Sequence, residues 1–468
     1  MLKINGDVHL SQVCQSIEEL SSAKKTTEDS NESQGTTRKN SLVGAALVQA
    51  HNAIGTGLLL FPYTFWAFDG PVGGITVQLM LVVFIAPSLL ILAYSAEVKQ
   101  AKSYQDAISR LCGPIIGKVC QVCVTLAAFG AGVGQLILIG DQLIDMSSAL
   151  PAHDHDHKPL SEEWYFDRRV STPLLSIVFI LPLLMLKNIG SLSYTSFIGF
   201  LSSLYISLVV VVKYFLIDDD YLNCKNDSDL ERNCQSSWTI AATSVSFACT
   251  AYECHVSSVP VYFGLKRRSV KRYSVVAITV MSSCLIVYSV TGLFGYLTFN
   301  SRTCISGDVL RNYCPRDIPI SIARIMIVVS LITLYPITCY VGRSSFDSIL
   351  IELVTAVKHR SMLSERVQTI RFRLEAIGWF LFTLTLAIFI PDIVVVMRPL
   401  GGLASMFMLT FPGLCLLNLL LNNLVQITSQ LLRLLLYIVA TTYIAFGCYI
   451  LGSSVTYSIM SEAHLISK

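Results

Sequence analysis

The chain has 468 residues, a formal net charge of +3 and a charged fraction of 14%, against about 25% in an ordinary soluble domain. Hydrophobic residues make up 53% and mean hydropathy is +0.60. The chain therefore cannot cover itself with charge in water, and disorder throughout is excluded as well. The net charge is too small to point to a nucleic-acid partner, and the expected partner is the lipid bilayer.

Residues 1–40 are polar and rich in Ser, Thr, Glu, Asp and Lys. They contain no basic start followed by an apolar core, so we expect a disordered cytosolic tail and no cleavable signal peptide. From Leu42 onward the chain is dominated by apolar runs. A helix needs roughly 20 residues to cross a hydrocarbon core of about 30 Å. About eleven runs qualify, at 42–66, 72–96, 119–146, 172–188, 191–217, 238–263, 274–299, 318–342, 374–391, 393–417 and 432–458. They are continuously apolar rather than alternating, which predicts an all-α polytopic membrane protein and not a barrel.

Orientation follows from the basic residues. With the N-terminus in the cytosol, Lys99, Lys102, Arg110 and Lys118 fall inside, as do the run from Lys266 to Arg272 and the cluster around Arg343, Lys358 and Arg371. The C-terminus is then lumenal or extracellular. The outward loops agree. Cys224 and Cys234 bracket the sequon Asn226-Asp227-Ser228, and Cys304 and Cys314 lie in the next outward loop. Glycans and disulfides belong on that side. Asn226 is the glycosylation candidate and the four cysteines are disulfide candidates, with their pairing open.

Two spans are interrupted. The first contains Asn52-Ala53-Ile54-Gly55-Thr56-Gly57 and then Phe61-Pro62. Glycines around a Thr at mid-span can unwind a helix and free amide N–H groups that suit a carboxylate. The sixth runs from Phe247 to Pro260 through Cys249, Thr250, Glu253, Cys254 and His255, mixing small, polar and ionisable residues at membrane depth. Irregular backbone there is tolerated where it is buried or lines a cavity. Interruptions five spans apart are the expected mark of an inverted-repeat transporter. The implied organisation is a tail at 1–40 and a transporter domain at 41–468. Within that domain, repeat one covers 42–217, repeat two covers 238–417, and an extra helix spans 432–458.

Several stretches carry a family resemblance. They include Gly55-Thr56-Gly57-Leu58-Leu59-Leu60-Phe61-Pro62, Ile139-Gly140-Asp141-Gln142 and Cys254-His255-Val256-Ser257-Ser258-Val259-Pro260. Tyr288-Ser289-Val290-Thr291-Gly292, Tyr335-Pro336-Ile337, Gly342-Arg343-Ser344 and Ile390-Pro391-Asp392-Ile393 follow in family order. The chain resembles the sodium-coupled neutral amino acid transporters (the system A/N glutamine transporter family) of the amino acid/auxin permease superfamily. Within that family it is similar to the branch of the lysosomal glutamine and asparagine exporter. The resemblance implies eleven helices in a 5+5 inverted repeat of the bacterial leucine-transporter type plus one. It also implies a small neutral, glutamine-like substrate moved by alternating access.

The implied substrate-binding residues are Gly55, Thr56 and Gly57, with Cys249 and Thr250 of the sixth span. In the family, an Asn four residues before the first Gly serves the cation. Counted that way the position here is His51, with Asn52 one place on, which leaves sodium and proton coupling both open because His titrates near neutrality. Ser330 and Thr333 are the hydroxyl candidates in the eighth span, and Glu253 and His255 are ionisable candidates inside the sixth. No metal or cofactor is expected. The chain has no HExxH, no nucleophile elbow and no paired intramembrane aspartates at catalytic spacing, so no enzyme is expected. The alternative function is an amino-acid sensor built on a transporter fold, and the plasma and lysosomal membranes are both open.

Overall fold

The computed structural model describes residues 41–55, 57–148, 167–185, 192–217, 237–299, 305–355, 365–390, 393–425 and 429–466. Its described elements are helical. The first repeat opens with α1 (Leu42–Ile54), a 3-10 turn (Gly57–Leu60), α2 (Phe61–Ala67), α3 (Pro71–Lys99), α4 (Tyr104–Cys112) and α5 (Pro114–Ser147). Then come α6 (Arg168–Leu175), a π turn (Ser176–Ile180), α7 (Leu181–Leu184) and α8 (Leu192–Leu216). The later half contains α9 (Ser237–Tyr252), α10 (His255–Phe263), α11 (Val270–Phe299), a 3-10 turn (Val309–Asn312) and α12 (Ile318–Thr355). It ends with α13 (Glu365–Phe389), α14 (Ile393–Ser405), a π turn (Met406–Thr410), α15 (Phe411–Leu421) and α16 (Gln430–Ile466).

Local chemistry sets these boundaries. Ser41 caps α1, its hydroxyl accepting the Gly44 N–H at 3.1 Å. Between α2 and α3 the chain reverses through Gly70, whose φ of +112° suits only glycine, and Pro71 then starts the next helix. The same device recurs at Gly113 (φ +95°) and Pro114, between α4 and α5.

Eight described helices are long and apolar enough to cross a membrane, and α1 with the Gly57–Ala67 stretch adds a ninth crossing bent by 44°. Two of the eleven expected spans fall outside these nine among the described residues. Expected spans 172–188 and 238–263 correspond to helical stretches at 168–184 and 237–263, each divided, the first by a π turn and the second at Glu253-Cys254. Large apolar side chains such as Val83, Leu208, Ile286 and Phe382 are exposed on the outside of the bundle. Such a surface fits acyl chains and not water. The protein is a multi-pass integral membrane protein.

Inside, α5 packs against α12 and α14, α9 packs against α14, and α1 lies between α8 and α11. This brings the interrupted ends of α1 and α9 to the middle of the bundle, facing α5 and α12.

Candidate functional site

The two helix breaks meet. α1 ends at Ile54, and the Gly55 N–H still donates to the His51 carbonyl at 3.1 Å. Gly57 then starts the 3-10 turn against the end of α9. A Cβ on Gly57 would collide with the Ala251 side chain and sit 2.5 Å from the Ala251 Cα. In the other broken helix α9 stops at Tyr252 and α10 starts at His255. The Glu253 carboxylate bridges this gap, one oxygen accepting the N–H groups of His255 at 3.0 Å and Val256 at 3.3 Å. Helix starts leave such donors without intrahelical partners.

α11 ties the two ends together. The buried Tyr288 hydroxyl lies 2.8 Å from the carbonyl oxygens of both Ala53 and Ala251. Its ring stacks on Phe61 just after the first break, with centroids 4.1 Å apart. One phenol therefore serves backbone acceptors next to both interruptions, at a depth where water is scarce.

Beside the breaks lies a cavity of about 180 Å³, room for a small solute rather than a single water. Its polar lining is Asn52 of α1, Gln135 of α5, Thr250 of α9, Glu253 at the break, Ser257 of α10 and Thr338 of α12. The Gln135 amide donates to the Thr338 hydroxyl at 3.1 Å. Alanines 127, 128 and 131, with Leu334, Met397 and Phe407, supply apolar wall.

The far end of α5 is closed by a polar network around residues 305–317. Gln142 donates to the Asp308 carboxylate at 2.5 Å, and Asp308 also accepts the Leu310 N–H at 2.9 Å. Asp141 sits between Arg168 at 3.4 Å and Arg311 at 3.6 Å. Arg324 is fully buried, donates to the Leu310 carbonyl at 2.9 Å and lies 3.8 Å from Asp145. Lys213 pairs with Asp317. Burial pushes the Asp308 carboxyl up to about 6, opposed by Arg311 and reinforced by Asp145. These contacts join α5, α6, α8 and α12 to the loop between α11 and α12.

The expected site residues divide by position. Thr250, Asn52 and Glu253 line the cavity. Gly55 and Gly57 form the adjoining backbone, and Cys249 is buried in the core. His51 is turned towards α8: a Cβ on Gly199 would fall on its imidazole, and neither ring nitrogen has a hydrogen-bond partner among the described residues. His255 is buried, its Nε2 2.8 Å from the Ser88 hydroxyl. Thr333 donates to the Ser330 carbonyl at 2.9 Å, and neither residue lines the cavity. Thr56, Cys224, Asn226, Cys234 and Cys304 lie outside the described residues. Cys314 is disulfide-bonded. Gln135, Ser257 and Thr338 join the site without having been singled out. Gln135 is a polar residue inside an apolar run, and Thr338 follows the quoted Tyr335-Pro336-Ile337.

Long apolar helices, two of them broken at mid-bundle beside a polar cavity, define a multi-pass membrane transporter. The chain belongs to the family described as "Transmembrane amino acid transporter protein", whose profile matches residues 38–460. It is 33% identical over 433 residues to sodium-coupled neutral amino acid transporter 7 of Danio rerio, covering 92% of this chain and 90% of that protein. Human solute carrier family 38 member 8 is 34% identical, with 81% of this chain and 85% of that protein covered. Human sodium-coupled neutral amino acid transporter 7 is also 34% identical, with 84% and 82% covered. Among solved structures, a Na+-coupled sialic acid symporter in a substrate-bound outward-open state superposes with a TM-score of 0.51 at 12% identity, over 89% of each chain. That likeness concerns the fold, which is of the bacterial leucine-transporter type. The relatives are transporters and not enzymes.

Proposed function

We propose that the protein is a secondary active transporter that carries a small neutral, glutamine-like amino acid across its membrane by alternating access, coupled to a cation. The carrying observation is the meeting of two helix breaks, bridged by Tyr288, beside one polar cavity. The substrate carboxylate binds at the first break, at Gly55, Thr56 and Gly57, and Thr250 contributes from α9. Asn52 stands nearest the cavity among the cation candidates on α1, and the sodium-coupled relatives support sodium over the proton. His51, His255, Ser330 and Thr333 would then act on the cation from outside the lining. The N-terminus is cytosolic and the C-terminus lumenal or extracellular, in the plasma or the lysosomal membrane. Asn226 is glycosylated, and Cys314 pairs within the outward loops that hold Cys224, Cys234 and Cys304.

The test is uptake of a radiolabelled amino acid panel into proteoliposomes, with and without sodium and with and without a pH gradient. Saturable glutamine uptake that stops when choline replaces sodium is the expected result. Uptake that ignores sodium and follows pH assigns the coupling to protons. Saturable binding without flux overturns the transporter reading in favour of a sensor.

A further inference from the structure

Among the described residues, the cavity lining contains one acidic side chain, Glu253, and no Lys, Arg or His. Glu253 makes no ion pair among the described residues. Its partners are backbone N–H groups at the start of α10. Its titratable neighbours, Tyr104 of α4 and Cys254 beside it, are a phenol and a thiol, and His255 is turned onto Ser88. The Asp and Arg network lies at the other end of α5, so no basic side chain among the described lining residues balances this carboxylate.

A carboxylate at membrane depth is costly unless a positive charge or a proton accompanies it. In alternating access the cavity is shut from both sides at some point of the cycle, and its contents must then supply that charge. A zwitterion brings no net charge. A cationic amino acid brings one positive charge, and an acidic one adds a second negative charge.

We propose that Glu253 sets the net charge of the cargo at plus one. The cavity is loaded either by an amino acid with a cationic side chain alone, or by a neutral amino acid together with one sodium ion or proton. Acidic amino acids are rejected. The inference rests on reading this cavity as the substrate site. It adds cationic amino acids to the substrates and gives Glu253 the role of charge selector.

The experiment compares lysine, glutamine and glutamate uptake in proteoliposomes holding the full chain. The wild-type protein should take up lysine in the absence of both sodium and a pH gradient, glutamine only when its coupling ion is supplied, and glutamate under none of these conditions. Glu253→Gln should lower the lysine-to-glutamine uptake ratio by about tenfold or more and release glutamine uptake from its ion dependence. Glu253→Asp should keep the wild-type ratio. An unchanged ratio in Glu253→Gln overturns the charge assignment and leaves the transporter reading standing. Absence of uptake of any amino acid by the wild-type protein overturns both. If Glu253→Gln is silent, the wild-type protein decides. Lysine that enters without sodium upholds the assignment, and lysine that neither enters nor inhibits glutamine uptake overturns it.

Discussion

Gly57 and Ala251 touch backbone to backbone. A Cβ on Gly57 would lie 2.5 Å from the Ala251 Cα, so the two broken helices meet beside their breaks. Gly57→Ala should force the breaks apart at an overpacking cost of about 1–3 kcal/mol and suppress uptake per molecule of protein inserted. Gly55 is looser, since a Cβ there would meet Leu334 at an ordinary 3.4 Å. Gly55→Ala should therefore be the milder variant and Gly55→Val a severe one. Equal uptake by Gly57→Ala and the wild-type protein would contradict this packing.

Tyr288→Phe removes one hydroxyl and leaves the carbonyls of Ala53 and Ala251 without it. A buried polar group stripped of its partner costs about 1–3 kcal/mol. The variant should melt at a lower temperature in detergent and lose uptake. A melting curve indistinguishable from wild type would show that the phenol does not hold the breaks.

Arg324 is the largest fully buried side chain among the described residues. Removing one member of a buried charged cluster costs about 3–5 kcal/mol, because the remaining charge is left uncompensated. Arg324→Ala should lower the melting temperature more than Arg110→Ala, whose partner Asp106 is four residues away on α4 and whose own side chain is half exposed. The reverse order would remove the network from the list of stabilising contacts.

Asp308 should give the protein a measurable pH dependence. Its folded-state value of about 6 lies above the ordinary value of 3.8. The folded protein therefore holds this proton more tightly than the unfolded chain. The favourable contribution is complete below about pH 4, declines as pH rises from about 4 to about 6, and is absent above that. The difference in melting temperature between Asp308→Asn and wild type should change across that window and stay constant from pH 7 to 8. A difference that is flat from pH 4 to 8 would contradict the burial-driven shift.

Much of the architecture was legible in the residues. The scarcity of charge and the length of the apolar runs predict helices across a membrane, because unpaired backbone is not tolerated in lipid. Gly55, Gly57 and Glu253 marked both interruptions, since glycines and an ionisable group stand out against apolar neighbours. The division of 168–184 by a π turn was not legible, because a π turn in an apolar run keeps the same composition. The direction of His51 was hidden for a related reason. Its place in the sequence says which helix carries it, and the missing side chain of Gly199 on α8 decides where its ring goes.

The sequence by itself determined that the chain lies in a bilayer, that its helices break twice, and to which family it belongs. These are local or compositional properties, set by hydropathy, by glycine and by residue order. Only the tertiary structure decided that Gln135 and Thr338, 203 positions apart, face one cavity with Glu253. It alone decided that Tyr288 joins both breaks and that Asp308 and Arg324 close the far end. Those facts depend on which helix packs against which, and pairwise distances between helices far apart in the chain are set by side-chain packing across the bundle rather than by the pattern within any one of them.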